Sequence, residues 1–265
     1  MIDVNGTSLY VEDTGPGSTG ETIAFSHGLL WSAEMFAPQI AALRGRFRCV
    51  AWDHRGQGRS AADRRHCIGI ELVWADAVAL LEKLGTGPVH FVGLSMGGFV
   101  GIRMAARRPD LVSSLVIIES SAMPEPEENI PRYRMLSAAS RMIGVRPLIG
   151  RVAPIMLGKT ILGDPARKAD VARFSAIMTR RKDIWRAVNG VIDRAGVEGE
   201  LAQIRARTLV MVGDEDVATP RTKSEALVAG VHGARLVTIP RAGHSSTVEE
   251  PAVVTAALDA FLTER

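Results

Sequence analysis

Short apolar runs and helix-spaced segments alternate along most of this chain, and no other feature restricts the fold as tightly. "TIAFSHG", "FRCVAWD", "PVHFVGL", "SSLVIIE", "RTLVMVG" and "ARLVTIP" each have the length of a buried strand. "AEMFAPQIAAL", "IELVWADAVALLEKLG", "MGGFVGIRMAARRP" and "EEPAVVTAALDAFLTE" lie between or after them, with apolar residues at helical spacing. Such alternation predicts an α/β protein, a mostly parallel sheet with helices on both faces. In these sheets ligands bind beyond the carboxyl ends of the strands. Residues just past each apolar run are therefore where chemistry is expected.

Two segments depart from the pattern. The opening "MIDVNGTSLYVED" places Asn5-Gly6, a tight-turn pair, between stretches that alternate apolar and polar residues. This predicts an antiparallel hairpin ahead of the parallel strands. Between residues 123 and 199 strand-like runs vanish, and the chain becomes helical, rich in Arg and Met and punctuated by Pro and Gly, starting at "MPEPEENIP". We read 1–122 and 200–265 as two parts of one α/β core, and 123–199 as a helical cap inserted at the carboxyl edge of the sheet. There is no internal repeat.

Composition narrows the functional classes. With 46% apolar and 23% charged residues in 265, the chain matches a globular protein rather than a disordered or fibrous one. Its net charge of +3 is dispersed, with no basic block interleaved with aromatics, so no nucleic-acid partner is expected. Cys49 sits in the apolar run "FRCVAWD" and reads as core, which with only one other cysteine, Cys67, favours a reducing compartment. No leader-like start and no run of eighteen apolar residues occur, so the expectation is a cytoplasmic protein without a membrane partner.

The clearest chemical pattern is Gly93-Leu94-Ser95-Met96-Gly97, lying between a strand-like run and a helix. This G-x-S-x-G in a strand–turn–helix setting forces a strained turn that exposes the serine hydroxyl at a helix start. The plainer reading is a Gly-rich turn with a serine cap. A nucleophilic serine needs a base. Of six histidines, His66 and His232 fall in polar connecting sequence, His90 inside a strand, and His54 in the turn "DHRGQGRS". His27 ends a strand in "SHGLL". His244, on the loop between the last strand and the last helix, shares the sheet edge with Ser95 and is the best base on topology. The base in turn needs a carboxylate on its other nitrogen. "GDEDVATP" supplies three at that edge, Asp214, Glu215 and Asp216, and the residues alone do not choose among them.

Taken together, "SHGLL", "WDHRGQGRS", "GLSMGG", "LVMVGDEDVATP" and "RAGHSSTVEEP" resemble the α/β-hydrolase family, in family order and across nearly all of the core. The resemblance implies a Ser95–Asp216–His244 triad, since the family acid usually stands third after the strand's glycine, here Gly213. It also implies an oxyanion hole built from the backbone N–H groups of Leu29 and Met96, with His27 buttressing that loop. Glu119 ends the strand where haloalkane dehalogenases carry their acid, but those enzymes attack with an aspartate where this chain has Ser95. Glu119 is expected to line the site or anchor the cap, Asp214 and Glu215 to belong to a solvated turn, Trp31 either to wall the pocket or to pack as ordinary core, and Tyr133 to face the pocket from the cap.

Within the family the chain looks most like 3-oxoadipate enol-lactonases, small carboxylesterases and cofactor-free haloperoxidases. The implied substrate is a small ester or lactone, an anionic lactone among the options; cap arginines such as Arg132, Arg134, Arg180 and Arg181 could receive its carboxylate, although most of them read as solvated. Alternatives of other classes are peroxide-dependent halogenation through the same acyl-serine, and a non-catalytic ligand-binding protein. A homo-oligomer is compatible with the sequence. No cofactor is called for. "APIMLGKT" ends like a P-loop but has Ala153 where the first glycine belongs and no strand before it, and no metal-ligand spacing occurs.

Overall fold

The computed structural model describes residues 1–264. All six apolar runs form strands: β4 (Thr22–Ser26), β5 (Arg48–Trp52), β6 (Val89–Leu94), β7 (Val112–Ile118), β8 (Arg207–Gly213) and β9 (Arg235–Ile239). Before them come β1 (Ile2–Val4), β2 (Thr7–Leu9) and β3 (Val11–Asp13). The hairpin β1–β2 turns at Asn5 and Gly6, with φ of 45° and 72°, the left-handed pair a tight hairpin requires. It forms its own two-stranded sheet. The main sheet has seven strands in the order β3-β5-β4-β6-β7-β8-β9, parallel throughout except for β3 at the edge.

Alternate residues of the strands point to opposite faces, and each face has its own apolar core. Ile23 and Phe25 of β4, Val92 and Leu94 of β6, and Val116 and Ile118 of β7 pack on one side. There they meet α1 (Ala37–Leu43) and α11 (Pro251–Thr263), the latter through Val254, Leu258 and Phe261. Ala24, Phe91, Leu115 and Ile117 face the other side, against α2 (Ile70–Leu84), α3 (Met96–Arg107) and α9 (Arg221–Gly230). Strands buried on both faces explain the near-continuous apolar runs. Helix α2 stops where Gly85 adopts φ of 57° and its N–H closes back on Leu81 and Glu82.

Between β7 and β8 the described residues form no strand but five α-helices, α4 (Ile130–Ile143), α5 (Ile149–Met156), α6 (Lys159–Gly163), α7 (Lys168–Met178) and α8 (Trp185–Ile192), with short 3-10 turns at Arg146–Leu148, Pro165–Arg167 and Glu198–Gln203. Their inner residues, among them Leu148, Met156, Phe174 and Met178, continue the first apolar core. A short α10 (Ser246–Glu249) precedes α11. From β4 the chain moves to β5 on one side, then returns to β6 on the other, so the strand order reverses between β4 and β6. The loops that leave those two strands are the "SHGLL" and "GLSMGG" segments, and they meet at this switch point. Among the described residues no helix is long and apolar enough to cross a membrane. Cys49 is buried and Cys67 partly so, and both are free thiols.

Candidate active site

Ser95 occupies the turn between β6 and α3 with φ of 52° and ψ of −110°, a conformation that L-residues hold only under constraint. The constraint is backbone crowding. A Cβ on Gly97 would lie 1.9 Å from the Ser26 carbonyl oxygen, and one on Gly93 would lie 2.2 Å from that of Gly97. Gly98 is equally confined, since its Cβ would stand 2.5 Å from the Ser120 side chain, whose hydroxyl donates to the Ser95 carbonyl at 2.8 Å. Glycine is thus required by close approach, and the elbow is fixed before any side chain acts.

The Ser95 hydroxyl lies 2.8 Å from His244 Nε2, and His244 Nδ1 lies 2.9 and 3.1 Å from the two Asp216 oxygens. With Nδ1–H donating to the carboxylate, Nε2 is left to accept from the serine. Asp216 accepts three more bonds, from the Thr219 hydroxyl at 2.6 Å and from the Ala218 and Thr219 amides at 2.8 and 3.0 Å. Burial by itself would raise this carboxyl, but His244 and Thr219 together hold it below the ordinary aspartate value. The loops carrying Asp216 and His244 meet because Gly213 abuts the Ala242 backbone, where a Cβ would come within 2.2 Å. The structure brings together the three residues singled out from the sequence, and each is at least nine-tenths buried.

The other acids part ways. Asp214 is exposed, but Glu215 does not belong to a solvated turn: its carboxylate accepts from the Thr160 amide at 2.8 Å and hydroxyl at 2.5 Å, holding the start of α6. Glu119 neither lines the cavity nor anchors the helical segment, contrary to expectation. It is fully buried behind Asp216 and accepts from the Ser246 amide at 3.1 Å. Burial, then the Asp216 and Glu249 charges, raise it well above the usual carboxylate range. Glu249, which sequence reading missed, gathers the amides of Gly158, Gly243 and Ser245 at 2.7 to 3.1 Å and so binds the His244 loop to the start of α6. No local motif announces it, because all three of its donors lie outside its own helix and one of them, Gly158, is 91 positions away. The "GKT" of α6 thus places its backbone on carboxylates of this chain.

On the opposite side of Ser95, the Gly28–Leu29 peptide is pinned. Gly28 O accepts from His27 Nδ1 at 2.7 Å and from the Trp31 amide at 3.2 Å, and His27 Nε2 accepts from the His54 amide at 2.9 Å. Because a trans peptide directs its C=O and N–H oppositely, anchoring that carbonyl on His27 aims the Leu29 N–H away from His27. Met96 N is the first amide of α3 and has no partner within the helix. Among the described residues neither amide has a protein acceptor. Gln57 links the two loops, accepting from the Leu30 amide at 3.3 Å and donating to Met96 Sδ at 3.5 Å. Sequence analysis left it unnoticed inside "DHRGQGRS". Burial keeps His27 and His54 below the ordinary imidazole value, and thus neutral.

A cavity of about 140 Å³ opens from Ser95 and His244 beneath the helices between β7 and β8. Its walls are mostly aliphatic, with Leu30, Phe99, Leu136, Val152 and Val188 among them. Tyr133 lines it as expected. Trp31 does not: its indole is packed against Phe174, donates to the Ser245 hydroxyl at 3.1 Å and is core. None of the four arginines proposed from sequence reaches the cavity. Arg132 is exposed, Arg134 pairs with Asp193, Arg180 with Glu34 at 2.9 Å and Arg181 with Asp183 at 3.0 Å. The arginine that does line it is Arg194, which no sequence pattern marked. It lies 4.4 Å over the Phe99 ring and 2.8 Å from Glu125, and burial draws it below the usual guanidinium value.

A buried serine hydrogen-bonded through an imidazole to a carboxylate, at the switch point of a doubly covered parallel sheet, defines the α/β-hydrolase class. Residues 23–257 match the Alpha/beta hydrolase family, and the chain belongs to it. "Putative carbamate hydrolase RutD" of Variovorax paradoxus (strain S110) is 31% identical over 96% of both chains, and its namesake from Caulobacter sp. (strain K31) is 28% identical over 94% of this chain and 93% of its own. Among solved structures, the enol-lactonase from Burkholderia xenovorans LB400 superposes with a TM-score of 0.89 at 27% identity, covering 98% of both chains. A thermophilic esterase from Thermogutta terrifontis also reaches 0.89, at 26% identity over 98% of this chain and 95% of its own.

Proposed function

We propose that this hydrolase cleaves a carboxylic ester or lactone through a covalent acyl-serine. The observation that carries the reading is the unbroken line from Ser95 Oγ through His244 to Asp216, opening on an aliphatic cavity. His244 Nε2 takes the hydroxyl proton as Ser95 Oγ attacks the carbonyl carbon, and Asp216 steadies the imidazolium that results. The Leu29 and Met96 amides receive the oxyanion, a contribution of about 10²–10³ in rate for each donor. Collapse of the tetrahedral species expels the alcohol, which takes the proton from His244. Water then attacks the acyl-enzyme with the same base, releasing the acid and restoring Ser95. The helices between β7 and β8 act as a cap over the acyl group. Their aliphatic lining, and the pairing of Arg194 with Glu125, favour an uncharged acyl group over the anionic lactone first considered.

A carbamate is the second reading, favoured by the name and near full-length match of the RutD relatives. It uses the same attack on a carbonyl, but the aliphatic wall suits a carboxylic ester better. The test is hydrolysis of 4-nitrophenyl esters and carbamates together with labelling by a fluorophosphonate. We expect ester turnover, labelling of Ser95, and loss of about 10⁵–10⁶ in kcat in Ser95→Ala. Undiminished turnover in that variant, or an unlabelled Ser95 in an active protein, overturns the proposal.

A further inference from the structure

Buried cations are costly unless they are paired and hydrogen-bonded. Arg194, on the loop after α8, has a side chain only 2% exposed. Its Nε donates to Met123 O at 3.2 Å, and Nη1 donates to Val191 O at 2.9 Å and to Glu125 Oε2 at 2.8 Å. Glu125 is fixed from its other oxygen by Asn129 at 3.0 Å. Two of the three guanidinium nitrogens are therefore committed, and the plane is held over Phe99. Nη2 makes no hydrogen bond to the protein among the described residues, and Arg194 lines the cavity that Ser95 opens on. Phe99 follows Ser95 by one turn of α3, so the arginine stands one ring away from the serine. Tyr133, whose hydroxyl is also without a protein partner among the described residues, lines the same cavity.

From this placement, and resting on the hydrolase reading above, we infer that Arg194 Nη2 and the Tyr133 hydroxyl form a subsite for a second, uncharged oxygen on the acyl chain. The substrate class is then an ester or lactone whose acyl group is mainly aliphatic but carries a carbonyl or ether oxygen beyond the scissile group. An uncharged oxygen is selected over a carboxylate because Glu125 already balances the arginine charge at 2.8 Å. A second anion would face that carboxylate across the same guanidinium. A purely aliphatic chain leaves a buried N–H without a partner, and sites built to hydrogen-bond discriminate strongly against ligands lacking the acceptor.

The experiment compares kcat/KM for 4-nitrophenyl esters of hexanoic acid, of 4-oxo- and 5-oxohexanoic acid, and the mono-ester of adipic acid. In the intact protein at least one oxo ester should exceed the hexanoyl ester by roughly 10–100-fold, the range expected for a hydrogen bond from a charged donor. The adipic mono-ester should be the poorest. In the double variant Arg194→Met, Glu125→Leu, which leaves no buried charge stranded, the oxo-to-hexanoyl ratio should fall to about one. In Glu125→Gln the ratio of adipic to hexanoyl turnover should rise about tenfold, because the arginine is kept and its counter-charge removed. Oxo-to-hexanoyl ratios near one in the intact protein, or unchanged in the double variant while hexanoyl ester is still hydrolysed, overturn the subsite alone. Failure to hydrolyse any of the esters, with Ser95 unlabelled by fluorophosphonate, overturns the hydrolase reading and the subsite with it.

Discussion

The loops at the carboxyl edge of the sheet and the helices between β7 and β8 surround one cavity, but they are held by different forces. The loops are locked by backbone against backbone: Gly97 against Ser26 and Gly213 against Ala242, both at distances that exclude a Cβ. The helices touch the core backbone at Gly158 against Gly243 and at Gly190 against Ile68, and elsewhere are held by side chains. Arg180 reaches Glu34, Arg181 reaches the Ser60 carbonyl, Thr160 reaches Glu215, and apolar residues such as Phe174 fill the space between. Backbone crowding permits one geometry and tolerates no larger residue. Side-chain packing permits many and costs less to change. On the function proposed above, chemistry would rest on the first and selectivity on the second, and the two could vary independently.

That contrast is tested most severely at Asp216. If the loop after β8 supplies the acid, Asp216→Asn should lower kcat by about 10⁴-fold, the penalty expected when the imidazole is held in the wrong tautomer. The variant keeps the acceptor oxygen for the Ala218 and Thr219 amides, so its thermal unfolding should stay close to that of the parent. Steady-state hydrolysis with a melting curve checks both. Retained turnover would detach the chemistry from the edge loop and dissolve the distinction between the two regions.

Glu119 offers a sharper and smaller effect, because it lies at the same edge yet bears on packing. Burial and the neighbouring Asp216 and Glu249 charges keep its carboxyl protonated far above the usual range. Its contribution to stability is complete below its unfolded value of about 4.3 and is lost as pH rises through the folded value. Glu119→Gln cannot ionise and still accepts from Ser246, so its melting temperature should fall less than the parent's as pH rises through the raised folded value of Glu119. Turnover near neutrality should stay within about threefold. A drop comparable to Asp216→Asn would make Glu119 the acid instead.

How far each region could be read from sequence follows the same division. The six strands, the elbow at Ser95 and the histidine loop at His244 were legible because glycine and apolar spacing record backbone geometry locally. Asp216 required the resemblance as well, since three adjacent carboxylates share one loop. Arg194, Glu125, Gln57 and Glu249 were not legible, because each has a partner far along the chain, Arg194 with Glu125, Gln57 with Leu30 and Met96, and Glu249 with Gly158, and no spacing rule connects them. Trp31 and Glu119 misled for a related reason. Trp31 lies two residues after Leu29 and Glu119 directly follows β7 at the site's edge of the sheet, yet Trp31 finds a buried acceptor in Ser245, and Glu119 finds the Ser246 amide.

Glu215 tests the joint between the two regions, with the smallest expected effect. It sits one residue before Asp216, in a loop whose shape is set by backbone, yet its own carboxylate grips α6 through the Thr160 amide and hydroxyl. A carboxylate receiving the first amides of a helix acts as its cap, and losing one costs about 0.5–2 kcal/mol. Glu215→Ala should therefore lower the melting temperature by about 1–6 °C and speed hydrogen exchange over residues 159–163. Ester turnover should change by less than about twofold, because α6 carries none of the groups assigned to the reaction. A tenfold fall in kcat with little change in exchange would mean that the acid loop is shaped by its side chains. The Asp216 geometry would then depend on the helices above it, and the two regions could not be varied independently.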